Sequence, residues 1–131
     1  MAPVESEKPA AVSGRLCLSG HILGLARDAH DRSRSADSES NVAVILSVVA
    51  LEGFLNEVAD TCALAAREKD WQVSPQLVAL GEVLRETEEA RLQVPAKLRF
   101  ALYALTGSFP SSGYPLMQDL RALAWIRNLL V

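Results

Sequence analysis

The sequence predicts an all-α, single-domain protein: a helical bundle of about five helices with a long central second helix. Three observations carry this. Half of the 131 residues are hydrophobic but only 5% are aromatic, so the core is aliphatic, built from Leu, Val, Ala and Ile. Apolar residues recur three and four apart over most of the chain, the period of a helix with one buried face. Pro75, Pro95 and Pro115 stand where helices start and Gly107 where one stops. The length suits one domain with one core.

Residues 1–13 (MAPVESEKPAAVS) carry Pro and Glu without periodicity and read as a flexible tail, leaving 14–131 as the domain. The first helix is expected over about 14–31, with Leu18, Ile22, Leu25, Ala26 and Ala29 as its apolar stripe. Gly20 and Gly24, four apart within it, suggest a close helix contact that uses their missing side chains. The polar connector RSRSADSES offers N-cap oxygens and acids to a second helix over about 38–69. Val42 to Leu51 is apolar on nearly all sides and should be the most buried segment. It is about half the roughly 20 residues of a membrane span, so it reads as a core helix and no membrane partner is expected.

Glu52, Asn56 and Asp60 then form a polar line, read either as a solvated face or as the place where Glu52 or Asn56 meets a buried cation. Ser74-Pro75 opens the third helix, which carries Leu77, Leu80 and Leu84 and ends in a solvated acidic patch over 86–89. Pro95 opens the fourth, to Leu105. A turn-rich loop, SFPSSGYP, leads to the fifth.

That last helix, Leu116 to Val131, organises the rest. Leu116, Leu120, Leu123, Leu130 and Val131 share a face, and Arg127 falls in its middle. A guanidinium in an apolar stripe is costly unless paired, and a carboxylate such as Glu52 is the ordinary partner. Ala122, Trp125, Ile126 and Leu129 make most of the remaining surface apolar too, as in a central or interface helix.

Arg127-Asn128, followed by Leu129-Leu130-Val131, resembles the start of the signature of HEPN domains, a helical nucleotide-binding and ribonuclease superfamily. That signature is an Arg, a polar residue, a few further residues, then a His. The run Leu51-Glu52-Gly53-Phe54-Leu55-Asn56-Glu57 is similar to the central helix of such domains. The order Pro95-Ala96-Lys97-Leu98, Gly107, Tyr114-Pro115, Asp119-Leu120-Arg121, Arg127-Asn128 is similar to that of bacterial members. The resemblance spans about residues 15–131. It implies a metal-independent endoribonuclease of the defence or toxin type, with RNA as substrate and Arg127 and Asn128 as catalytic residues; Glu52 and Asn56, read from the polar line as candidates to meet Arg127, would support them. The His would be residue 132. The chain therefore reads as truncated before it, or as a non-catalytic member, and strong nuclease activity is not expected of these 131 residues.

The chemistry behind that expectation is simple. RNA carries its own nucleophile, the 2′-OH. An imidazole can move the protons and an arginine can hold the phosphate charge. Residues five apart on a helix point about 140° apart, which suits a site shared across a homodimer built on the last helix. A partner antitoxin protein goes with the resemblance; a cytoplasmic location is expected because no signal peptide is visible and the two cysteines read as reduced thiols.

Other chemistries lack their residues. His21 and His30 are nine apart with no ligand cluster, so neither a metal nor a cofactor is expected. There is no Gly-rich phosphate loop and no nucleophile elbow. The net charge of -3 excludes a general nucleic-acid coat, so any RNA contact is local. Ten of the thirteen basic residues are Arg, suited to forked phosphate contacts. Cys17 and Cys62 read as reduced, buried thiols. The rival reading is a non-enzymatic helical module that binds a nucleotide or a protein through the same last helix.

Overall fold

The structure, a computed structural model, describes residues 18–131 apart from Ala36, Lys69 and Ser112. The expected tail, the first residues of the first helix and Cys17 lie outside the described residues. Within them the chain forms five helices: α1 (Ser19–Arg32), α2 (Asp37–Arg67), α3 (Pro75–Glu89), α4 (Val94–Thr106) and α5 (Pro115–Leu130). No strand occurs among the described residues, and the bundle is all-α.

Local chemistry sets the ends. Ser74 Oγ accepts the Leu77 N–H at 3.3 Å at the start of α3, directly before Pro75. Gly107 takes φ 78° at the end of α4, where a Cβ would be strained. The α3 terminus makes the same left-handed turn with Arg91, at φ 54°. Leu92 N–H bonds back to Thr87 O and Arg91 N–H to Glu88 O, so two terminal carbonyls are satisfied.

α2 is about 46 Å long at 1.5 Å per residue, and the other four helices all pack against it. By length and composition it could cross a membrane. Here it is the central helix of a bundle. Val48, Leu55 and Cys62, seven apart, face Leu80 and Leu84 of α3, Val94 and Ala101 of α4 and Leu120 of α5 in one core. Gly81 lets α3 approach: a Cβ there would lie 2.7 Å from that of Cys62. Cys62 is a free, buried thiol, and burial pushes its pKa up.

A second seam, made of small residues, joins α1 to α2 alone. Ala26, Ala29, Ala43 and Ala50 are buried there. The expected contact through Gly20 and Gly24 does not exist, because both face open space. The close approach is made instead by alanines on the opposite side of α1, beside Ser19 and Gly53. Nor is Val42–Leu51 sealed. Ala43, Val48 and Ala50 are buried, but Val42 and Val49 are exposed, because four neighbours leave one side of α2 open.

Alanine buries little apolar area, so a polar tie matters at the start of α1. Glu57 accepts the Ser19 N–H at 2.9 Å and the Ser19 hydroxyl at 2.5 Å. A carboxylate from α2 thus caps the N-terminus of α1, where the helix dipole favours negative charge. The Ser19 hydroxyl and then its N–H hold the Glu57 pKa below its ordinary value of 4.5. Because the folded pKa is the lower one, this contribution is present above pH 4.5 and is lost as pH falls through the folded value. We expect amide protection in α1 to fall on acidification below that pH while the α2–α4 core stays protected. Glu57→Gln should weaken α1 at neutral pH and flatten that dependence. Hydrogen exchange followed by mass spectrometry checks both; an α1 as protected as α3 in the variant contradicts the capping role.

Candidate functional site around Arg127

α5 buries Met117, Leu120 and Ala124, with Leu123 and Arg127 half-buried beside them. The buried face is therefore turned from the expected one: Leu116, Leu130 and Val131 are exposed. The reason is that α5 meets α2 and α4 on one side only. Leu120 joins the core whose α2 members are Val48, Leu55 and Cys62, while Leu123 borders a groove with the earlier residues Ser40, Ala43, Val44 and Ser47. α5 thus runs antiparallel to α2, and Arg127, one turn after Leu123, lies toward the α1–α2 turn.

Arg127 has an unusual environment. Its Nε–H is buried and has no hydrogen-bond partner. Among the described residues no carboxylate pairs with its guanidinium. Asn128 is exposed.

The expected partner is engaged elsewhere. Glu52 Oε1 lies 3.7 Å from Lys97 Nζ, and Glu88 of α3 accepts a hydrogen bond from the same ammonium. Lys97 is 2% exposed, the most deeply buried charge among the described residues. The pairing of Glu52 or Asn56 with Arg127 is therefore corrected. Leu123 meets α2 at residues 40–47, whereas Glu52 begins one to three turns further on, about 8–18 Å along the axis at 1.5 Å per residue. Glu52 also faces α4, not α5. Asn56, a further turn away, is half-buried on the open side of α2. The acidic patch after Leu84 is solvated as expected at Glu86, Glu88 and Glu89, but Thr87 is buried, donating to Leu84 O, and Glu88 also pairs with Lys97. His21 and His30 are exposed, His30 with Nδ1 3.5 Å from Asp31 Oδ1.

Sequence reasoning missed two features. The first is Lys97, whose burial has no local signal, since it follows Pro95-Ala96 like any first-turn residue. The second is a cluster at the end of α4. Phe109 stacks on Tyr103 at 4.4 Å between centroids, meets Phe100 edge-on at 5.5 Å, and carries the Arg99 guanidinium 4.9 Å from its ring centre.

No family model matches the chain, and no curated protein and no solved structure matches it either. The functional argument therefore rests on the residues.

The Lys97 arrangement gives a measurable consequence. Removing both carboxylates strands a buried ammonium, whereas removing the ammonium leaves two carboxylates that reach water. Glu52→Gln with Glu88→Gln should cost roughly 3 kcal/mol or more of unfolding free energy, and Lys97→Met clearly less. Urea unfolding of the two variants checks the order; the reverse order contradicts it.

Proposed function

We propose that this chain is a HEPN-like domain of a metal-independent endoribonuclease, of the bacterial defence or toxin type, in which Arg127 and Asn128 hold the RNA phosphate. The observation that carries this reading is the unpartnered, half-buried guanidinium of Arg127. A buried arginine kept for stability is ordinarily paired. Arg127 is not: among the described residues no carboxylate pairs with it, and Glu52 pairs with Lys97 further along α2. The Nε–H is sealed, so an anion from outside would be held by the rest of the guanidinium, with Asn128 beside it offering an amide to the same ligand.

In the resemblance on which this rests, a His at position 132 moves the protons for attack by the 2′-OH, and Arg127 stabilises the charge that builds on phosphorus. A site shared between two copies suits the angle between the two positions. The exposed face of α5 supports such a homodimer: Trp125 and Leu129 are 64% and 65% exposed, with Ile126 and Leu130 beside them. The same strip also favours the rival role, a non-catalytic module that takes a nucleotide or a partner protein such as an antitoxin. A cytoplasmic location belongs to the ribonuclease reading.

The 131-residue chain should bind single-stranded RNA but cleave it slowly or not at all, since positioned acid–base catalysis is worth roughly 10² to 10⁴ in rate. A chain continued through a His at 132 should cleave RNA with EDTA present and leave cyclic-phosphate ends. Arg127→Met, which keeps the packed stem, should remove cleavage in a protein whose circular dichroism is unchanged. Cleavage that survives that change, or that needs a metal, defeats the assignment.

Light scattering should give a defined dimer, and Leu129→Glu should convert it to monomer. A monomer at high micromolar concentration contradicts the α5 interface.

A further inference from the structure

α1 and α5 both pack on α2, and an apolar trough runs along the α1–α2 seam with α5 at its far end. The trough is made of two hollows that share Leu23 and Ser47. The first, about 330 Å³, lies at the start of α1 against Ser19, Gly20, Ala50 and Phe54. The second, about 380 Å³, lies against Arg27 and His30 of α1, Val44 of α2 and Leu123 of α5. From Ser19 to His30 the trough is about 16 Å long at 1.5 Å per residue. Leu23 and Phe54 on its walls are each 52% exposed. A continuous uncovered apolar strip of this kind marks an interaction surface.

Three features of the trough specify its occupant. Its floor is open to a second backbone: Gly20 has nothing within 4 Å of the place where a Cβ would stand. Glycine in a helix costs roughly 1 kcal/mol against alanine, and close approach is what its missing side chain permits. Its far end is cationic. Arg27 lines it, no carboxylate does, and among the described residues none pairs with Arg27. The cleft between α4 and α5 is a different case, since Arg121 on its wall is already engaged within the chain. Its near end is where the chain enters: residues 1–17 join the fold at Leu18, next to Ser19 and Gly20.

We infer that the chain's own residues 4–12 turn back at Ser13-Gly14 and dock in this trough. Ser-Gly is a turn-forming pair. In an extended segment alternate residues share a side. Glu5, Glu7, Pro9 and Ala11 then fall on one side, and Lys8, Ala10 and Val12 on the other. The first side matches the trough in order: small apolar groups at the entry, against Gly20 and Phe54, then carboxylates at the end where Arg27 stands. The lengths agree. Ala11 and Glu7 are about 13 Å apart at 3.3 Å per extended residue, and Gly20 and Arg27 about 10 Å apart at 1.5 Å per helical residue. Pro9 restricts the segment before it docks, which lowers the entropy lost on docking. The docking does not depend on what Arg127 binds, and the two readings fail separately.

Thermolysin, which cuts before apolar residues, reads the docking at the Ala11–Val12 bond, with mass spectrometry to follow the product. In the full chain that bond should be cut at least about tenfold more slowly than in a synthetic peptide of residues 1–17, because cutting follows the undocked fraction. Gly20→Phe fills the trough without meeting a neighbour and should raise the rate to within about threefold of the peptide's. Gly24→Phe is the control: Gly24 faces equally open space but lines neither hollow, so its variant should be cut like wild type. Glu7→Gln and Arg27→Gln should each speed cutting about threefold, the scale of an exposed ion pair. Together they should do no more than either alone, because they remove one contact. Circular dichroism should be unchanged throughout. Wild-type cutting at the peptide's rate overturns the inference. So does a folded Gly20→Phe variant within about twofold of wild type, or a double variant in which the two changes multiply. Protection that rises with protein concentration means that the segment of a second copy fills the trough, and it overturns docking within one chain.

Discussion

Lys97 puts an ammonium where water scarcely reaches, between α2, α3 and α4. A charge so placed needs counter-charge close by, and Glu52 and Glu88 bring it from two different helices. Three of the five helices are therefore fixed in register by one cation. Glu88 lies at the end of α3 and Lys97 at the start of α4, so the four-residue turn between them is held as well. That turn accepts a left-handed Arg91, a conformation costing a non-glycine residue of order 1 kcal/mol or more. Arg127, 30 residues after Lys97, lies beyond the reach of these carboxylates, and the apolar face of α5 contains a cation that the described residues do not pair.

The packing divides unequally around α2. The seam of Val48, Leu55 and Cys62 buries branched and sulfur-bearing side chains against three helices, and Gly81 brings α3 close. The α1 seam is alanine against alanine and depends on Glu57 for its polar tie. Local stability follows buried apolar area, so the α1 seam relies on close backbone approach and on the Glu57 tie more than on large side chains. Above it lies a groove bordered by Leu23, Ser47, Ala50 and Phe54, with Leu23 and Phe54 each about half exposed. The open side of α2 and the outer strip of α5 add further uncovered apolar groups. The protein thus keeps its polar order inside, at Lys97, and leaves much apolar surface outside.

Two basic regions of different character result. At Arg127 a cation is sunk into an apolar face, with one N–H sealed and unsatisfied. At the α4–α5 cleft the cations are exposed and one is braced against an aromatic ring. The first suits charge that is held tightly and desolvated, as in a reacting phosphate. The second stays open to solvent. Asn128 and Arg121, on one side of α5, connect the two.

Sequence alone determined the helices. Their starts at Pro75, Pro95 and Pro115, the stop at Gly107 and the length of α2 are local matters, set by capping, by the missing proline N–H and by glycine's freedom at positive φ. It also singled out Arg127, because an arginine among leucines at helical spacing stands out without any partner in view. What the tertiary structure decided was pairing and facing. Glu52 could not be assigned to Lys97 from spacing, since the two are 45 residues apart and brought together only when α4 docks on α2. The glycine contact fell at Gly81 and not at Gly20 or Gly24, because facing depends on which side of each helix its neighbour occupies. The cleft lined by Arg99, Phe100, Phe109 and Arg121 is likewise a product of docking: a helix, a loop and a second helix contribute to it. Helix ends are short-range chemistry and can be read along the chain. Ion pairs and clefts are long-range geometry, settled only when the helices choose their sides.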